Sequence, residues 1–261
     1  MLISLCFNRC ADDPGPVAPP SILAVYAHAD DEVFAMPVLA QCAREGATVR
    51  VVVVTAGELG VTDHAALPAG DTLAAVRAEE ARCASAALGI EPPVLLGYPD
   101  GGLAGDWGHM WRLARDLDSL FHHYNPDFIL TWGPDGGTGH PDHRTVSDVV
   151  TEVYQRDSIH AARTLLYTSV PLADFHATPA MRSPYARELK EGFKTTRARF
   201  LTYRIGYDAR AAARAATAIR CYASQFSPDG MRDIIALTLR RDSTVYFRPF
   251  FGSEVRRTLL R

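Results

Sequence analysis

The stretch "VYAHADDEVF" sets His28 beside three consecutive carboxylates, Asp30, Asp31 and Glu32. Adjacent like charges repel, so this segment needs either full solvation or a compensating positive charge. A second cluster, His140, Asp142 and His143 in "GHPDHR", lies far along the chain. Two imidazole nitrogens and one carboxylate oxygen suit Zn²⁺ and leave one position open for water. In a turn at a strand end, residues 28 and 31 can face one ion while residue 30 points elsewhere. His143, one helical turn beyond His140, then completes a triad of His28, Asp31 and His143. A divalent cation there offsets the carboxylate repulsion and favours the ionised forms. Iron(II) or another divalent ion fits the same donors. A plainer account has Asp30 and Asp31 capping a helix around a satisfied core histidine. Two such motifs at the ends of two strands count against it.

The elements that must position these residues are legible. "SILAVYA" is a short apolar run suited to a buried strand. Pro37 can open a helix and Gly46 can close it. "ATVRVVVVTAG", rich in valine, is the clearest strand, and "PVLLG", "DFILTWG" and "TLLYTSV" follow as others. Between them, Asp71 is a plausible N-cap for a helix whose apolar positions run from Leu73 to Leu88 and which Gly89 ends. Trp107, Met110, Trp111, Ala114, Leu117 and Phe121 mark a helical stripe expected to pack into the core. "HRTVSDVVTEVYQR" is a further helix. Strands alternating with helices predict an α/β fold: a mainly parallel, Rossmann-like sheet with helices on both faces. Beyond residue 175 the pattern loosens into an irregular C-terminal portion, with "DARAAARAATAIRCYASQF" helical and "STVYFRPFF" a late strand. Residues 1–20 read as a flexible, proline-rich lead-in and residues 21–261 as one domain. In open α/β sheets, ligands bind beyond the carboxyl ends of the strands. His28, Asp30, Asp31, Glu58, Asp100 and the loop "GPDGGTGHPDH" all fall there. "GGTG" is not followed by Gly-Lys-Ser/Thr, so it does not match a phosphate-binding loop.

Bulk properties exclude some classes. A net charge of −3 argues against a nucleic-acid binder held by a basic surface. No apolar run approaches the ~20 residues of a membrane span. The opening "MLISLCFNRC" lacks a basic n-region, so a cytoplasmic setting is expected, with a trimmed export signal as the alternative. Five scattered cysteines do not suggest a disulfide framework, and Cys6 and Cys10 have no second pair with which to share a metal.

The motifs "AHADDE" and "PDGGTGHPDHR" together resemble the paired signatures of the LmbE-like, or PIG-L, metal-dependent deacetylases. "GELG", "RAEEARCASAALG" and "LGYPDGGL" agree, over roughly residues 21 to 170, and "AIRCYASQF" is similar more weakly. The resemblance implies a zinc-dependent hydrolase that removes acetyl from an N-acetylated amino sugar or sugar conjugate. It implies His28, Asp31 and His143 as metal ligands and Asp30 as general base. His140 would face the developing oxyanion as a cation held by Asp142, and Arg77 and Asp100 would grip the substrate. Asp30 or His140 must then protonate the departing amine. Arg77 could instead pair with Glu80 on a solvated helix face, Asp100 could be a turn former, and Glu58 carries no assignment. His64, His109, His122, His123, His160 and His176 read as surface or structural.

The chain departs from the family pattern in three places. Ala29 replaces a proline, Met36-Pro37 stands where many relatives carry glycines, and Thr138 stands where some have a tyrosine. Two other readings compete: an amidase acting on a non-sugar acyl amide, and a metal-dependent sugar or nucleotide binder without chemistry. A pure binder has no need of a spare carboxylate beside its metal. Oligomeric state is open, a homo-oligomer included.

Overall fold

The computed structural model describes residues 19–156, 164–171, 181–251 and 256–259. Most of the lead-in, Cys6, Cys10, His160 and His176 lie outside them. Seven strands, β1 (Ser21–Tyr26), β2 (Thr48–Thr55), β3 (Val94–Tyr98), β4 (Phe128–Trp132), β5 (Thr164–Ser169), β6 (Tyr203–Gly206) and β7 (Thr244–Pro249), form one sheet in the order β3-β2-β1-β4-β5-β7-β6. The first five run parallel, and β7 pairs antiparallel with both β5 and β6. The sheet is therefore mainly parallel, and its C-terminal edge is an ordered antiparallel extension.

Central parallel strands are covered on both faces, which is why β1 and β2 read as continuous apolar runs. Ile22, Ala24 and Tyr26 point into one core and Leu23, Val25 and Ala27 into the other. The first core takes α1 (Met36–Arg44), α2 (Asp71–Leu88), α6 (Ala209–Ile219) and α7 (Pro228–Thr238). The second takes α3 (Trp107–Tyr124) and α4 (Pro141–Tyr154). One further helix, α5 (Pro184–Gly192), packs beside α7.

Local signals place these elements. Pro37 sits in the first turn of α1, and Gly89 closes α2 with φ 73°, a conformation that costs glycine little. Asp71 is the first helical residue rather than the cap, a place held by Gly70. The helix expected over residues 208–226 stops at Ile219, and Tyr222 to Phe226 form a turn beyond it. The α3 stripe divides. Leu113, Ala114, Leu117 and Phe121 are buried, whereas Trp107 and Trp111 are 79% and 72% exposed, because the first turns of α3 run past the edge of the core. Among the described residues no helix is long and apolar enough to cross a membrane.

The chain leaves β1 toward β2 and β3, then returns to β4 on the other side of β1. This reversal opens a crevice at the carboxyl ends of β1 and β4. Cys83 on α2 and Cys221 after α6 form a disulfide, which sequence spacing gave no reason to pair. It closes a separation of 138 residues, and Cys42 is free and buried. Cys83→Ser should lower stability by about 2–5 kcal/mol, read as a lower melting temperature under oxidising conditions, with the difference abolished by reductant.

Candidate metal centre

Three loops bring the site together at the crevice. His28 follows β1, and a 3₁₀ turn at Asp31–Phe34 places the carboxylates immediately after it. Asp100 follows β3, and His140, Asp142 and His143 begin α4 beyond β4. The Nδ1 of His28 lies 3.0 Å from the Nε2 of His143, which lies 3.0 Å from Asp31 Oδ1. Asp31 Oδ2 is 3.7 Å from His28 Nδ1 and accepts the His28 amide at 2.9 Å. Donor atoms of a tetrahedral Zn²⁺ bound at about 2 Å are about 3.3 Å apart, so this spacing fits such an ion.

The outer nitrogens of both imidazoles are engaged, which orients the rings so that His28 Nδ1 and His143 Nε2 face each other beside the Asp31 carboxylate. His28 Nε2–H donates to Asp100 Oδ1 at 3.0 Å, and Asp142 Oδ2 stands 3.6 Å away. His143 Nδ1–H donates to the Gly136 carbonyl at 2.9 Å, with Thr138 Oγ1 at 3.2 Å. Trp132 stacks flat on the His143 ring, 5.9 Å between centroids. Gly136 and Gly137 let the loop come this close. A Cβ on Gly137 would fall 2.8 Å from Trp132, and both glycines have positive φ.

Two expected relations differ. The Asp142 carboxylate does not hold His140. It is fully buried, and its oxygens accept the amides of Gly101 (2.7 Å) and Leu103 (3.2 Å) beside His28. Instead His140, as N-cap of α4, accepts the Asp142 backbone N–H on Nδ1 at 3.2 Å. That contact leaves the proton on Nε2. Burial, then the neighbouring His28 and His143, hold His140 below its ordinary value. The expected pairing of His140 with the Asp142 carboxylate therefore does not form, and His140 turns Nε2 to the cavity. Asp100 is likewise committed, to His28 through Oδ1 and to the Leu59 amide (3.3 Å) through Oδ2. Glu58 accepts the Asp100 amide at 3.0 Å, so it supports the loop behind His28.

Asp30 has φ 103° and ψ −16°, which for a residue with a Cβ is strained by about 1–3 kcal/mol. Its carboxylate lines the cavity and accepts no hydrogen bond from the described residues. Burial first, then the charge of Asp31, push it well above the usual carboxylate range, against Arg77 and His28. Arg77 is 5% exposed, donates to the Gly60 carbonyl and also lines the cavity. The solvated pair with Glu80 does not form. Glu80 is buried and accepts the Ser224 amide (2.6 Å) and hydroxyl (2.7 Å).

The cavity, about 370 Å³, joins the polar group of His28, Asp30, Asp31, Arg77, Asp100 and His140 to an apolar wall. Val33, Phe34, Trp132, Phe226 and Ile234 build that wall, and Tyr185 of α5 stands at its rim. Sequence reading missed Trp132, Tyr185 and Phe226 because apolar spacing does not distinguish a cavity wall from a core.

A doubly wound sheet with a cluster of histidine and aspartate side chains at its switch point, able to hold a metal ion, places the chain among the α/β proteins. Among these, the family model described as PIG-L, GlcNAc-PI de-N-acetylase, matches residues 23–154, just over half of the 261, and the chain belongs to that family. It is 35% identical over 161 residues to a 1D-myo-inositol 2-acetamido-2-deoxy-alpha-D-glucopyranoside deacetylase of Mycobacterium sp. (strain KMS), covering 52% of this chain and 51% of that one. The chain thus spans about half the length of the curated relatives it matches. Among solved structures it is similar to N,N'-diacetylchitobiose deacetylase from Pyrococcus horikoshii, with TM-score 0.64, 20% identity and coverage of 88% and 84%. It is also similar to GalB, the 4-carboxy-2-hydroxymuconate hydratase of Pseudomonas putida KT2440, with TM-score 0.63, 18% identity and coverage of 92% and 99%. At these identities the two structures establish the fold alone.

The charge pattern sets a pH response in the metal-free protein. Although burial raises Asp31, His143 and then His28 hold it down at about 2, so its contribution is full above about pH 4 and is lost as pH falls through 2. Burial lowers His28, but Asp100, Asp142 and Asp31 raise it to about 10. Its contribution is full below about pH 6.5 and is lost as pH rises through 10. Thermal melts of chelator-treated protein should fall at both ends. Asp31→Asn should flatten the acid decline, and His28→Gln the decline between about pH 7 and 10.

Proposed function

We propose that this chain is a metal-dependent amide hydrolase that removes acetyl from an N-acetylglucosamine-containing conjugate, with Zn²⁺ as the metal. The observation carrying this reading is the convergence of His28 Nδ1, Asp31 Oδ1 and His143 Nε2, with the Asp30 carboxylate unengaged beside them. Family membership and the deacetylase named among the 35%-identical relatives support it.

In this reading His28, Asp31 and His143 hold the ion, which when bound acidifies water and polarises the amide carbonyl. Asp30, outside the ligand set, takes the water proton. His140 presents Nε2–H to the oxygen that gains charge, a contribution of about 3 kcal/mol for a well-placed donor. Asp30, having taken the proton from water, returns it to the departing amine. Arg77 meets the substrate's oxygen atoms from the side of Asp30. Asp100 and Asp142 orient His28 rather than touching the reacting bond, and Thr138 does the same for His143.

A second reading keeps the chemistry and enlarges the acyl group. The apolar wall of Val33, Phe34, Trp132 and Phe226 can accept more than a methyl group, which favours a larger acyl amide. Measuring acetate and longer carboxylates released from N-acyl glucosamines of increasing chain length separates the two. Faster release of the longer acids would displace the first.

Asp30→Asn should retain one Zn²⁺ per chain and lose about 10²–10⁴ in kcat, whereas full turnover in that variant would reject the assigned base. His28→Ala and His143→Ala should each lose bound zinc in metal analysis and with it acetate release. Chelated wild-type protein should regain activity on adding Zn²⁺.

A further inference from the structure

We propose that Glu32 and Tyr222 are positioning residues for Asp30, forming a buried clasp that holds its backbone in the positive-φ conformation. This rests on the reading of Asp30 as general base. Glu32 is 2% exposed, yet it neither faces the metal donors nor lines the cavity. One of its oxygens accepts the Asp30 amide at 3.2 Å, and the other accepts the Tyr222 hydroxyl. Tyr222 is itself fully buried. A buried carboxylate costs more than an apolar side chain of its size unless its bonds are used. Here they are used on the one backbone amide whose orientation sets where the Asp30 carboxylate points.

The far end of the clasp is anchored. Tyr222 lies in the turn after α6, between the Cys83–Cys221 disulfide and Ser224, which Glu80 of α2 holds with two hydrogen bonds. Thr62 Oγ1 donates to the Ser224 carbonyl at 2.7 Å, and Gln225 Nε2 reaches the Ala29 carbonyl at 3.4 Å. The turn is thus fastened on both sides of Tyr222, and α2 and the "HADDE" turn meet through it. Strain of this kind persists only where surrounding contacts over-determine it.

The test combines kinetics with crystallography on the full, zinc-loaded chain. With 4-nitrophenyl N-acetyl-β-D-glucosaminide as probe, Glu32→Ala and Tyr222→Phe should lower kcat by about tenfold or more, with KM and zinc stoichiometry unchanged. Glu32→Gln, which keeps an acceptor for the amide and a partner for the hydroxyl, should restore most of the rate. Adding Tyr222→Phe to Asp30→Asn should cause no further loss. A multiplicative loss in that double variant, or a Tyr222→Phe enzyme with wild-type kcat, overturns the clasp. If Asp30→Asn alone keeps full turnover, the base assignment falls, and the clasp is then judged by structure. In a crystal structure of Glu32→Ala, Asp30 should leave positive φ, and its retention there overturns the proposal. Should Glu32→Ala fail to fold, the nearly isosteric Tyr222→Phe decides by the same two readouts.

Discussion

Three consecutive carboxylates at the end of β1 cannot share one environment, and the structure gives each a different one. Asp31 is drawn between His28 and His143 and stays ionised. Glu32 turns the other way, into the protein, and meets Tyr222. Asp30 is left facing the cavity, near the charge of Arg77. Electrostatic repulsion along three residues is thus resolved by alternating their directions, and a left-handed backbone at Asp30 makes the alternation possible. A carboxylate paired with two imidazoles, one facing the cavity and one buried against a tyrosine arise from neighbouring acidic residues.

That resolution depends on the topology of the sheet. His28 and His143 are 115 positions apart, and they meet because β1 and β4 are adjacent while the intervening chain builds β2 and β3 on the far side. The loops at this edge support one another through backbone amides. Asp142 holds Gly101 and Leu103, Asp100 holds Leu59, and Glu58 holds Asp100. Acidic side chains from three strand ends therefore brace the loops of their neighbours. Such bracing is what a metal site needs if its donors are to be set before the ion arrives.

Much of this was legible in the residues. Valine-rich runs and the glycine at the end of α2 mark elements by mechanisms local to the chain, and the strand ends then bring His28, Asp31 and His143 together. What was not legible depended on partners distant in sequence. Asp142 follows His140 at a spacing that suggests a His–Asp pair, but its carboxylate is taken by the Gly101 loop, and only tertiary contact decides that. Trp107 and Trp111 have helical spacing for a core stripe, yet a helix can begin before the core does. Glu32 looked like one more member of an acidic run. Its role depends on Tyr222, 190 residues away, in a segment whose own pattern reads simply as a helix end. The pairing of Cys83 with Cys221 has the same character.

The cross-link between Cys83 and Cys221 encloses β3, α3, β4, α4, β5, α5, β6 and α6 within a single covalent ring. Both histidines of the α4 loop lie inside that ring, whereas His28 and the acidic turn lie outside it. A peptide bond cut by a protease between Cys83 and His140 would therefore leave the pieces joined, and the two halves of the crevice would part company only after the sulfur bridge had also been opened.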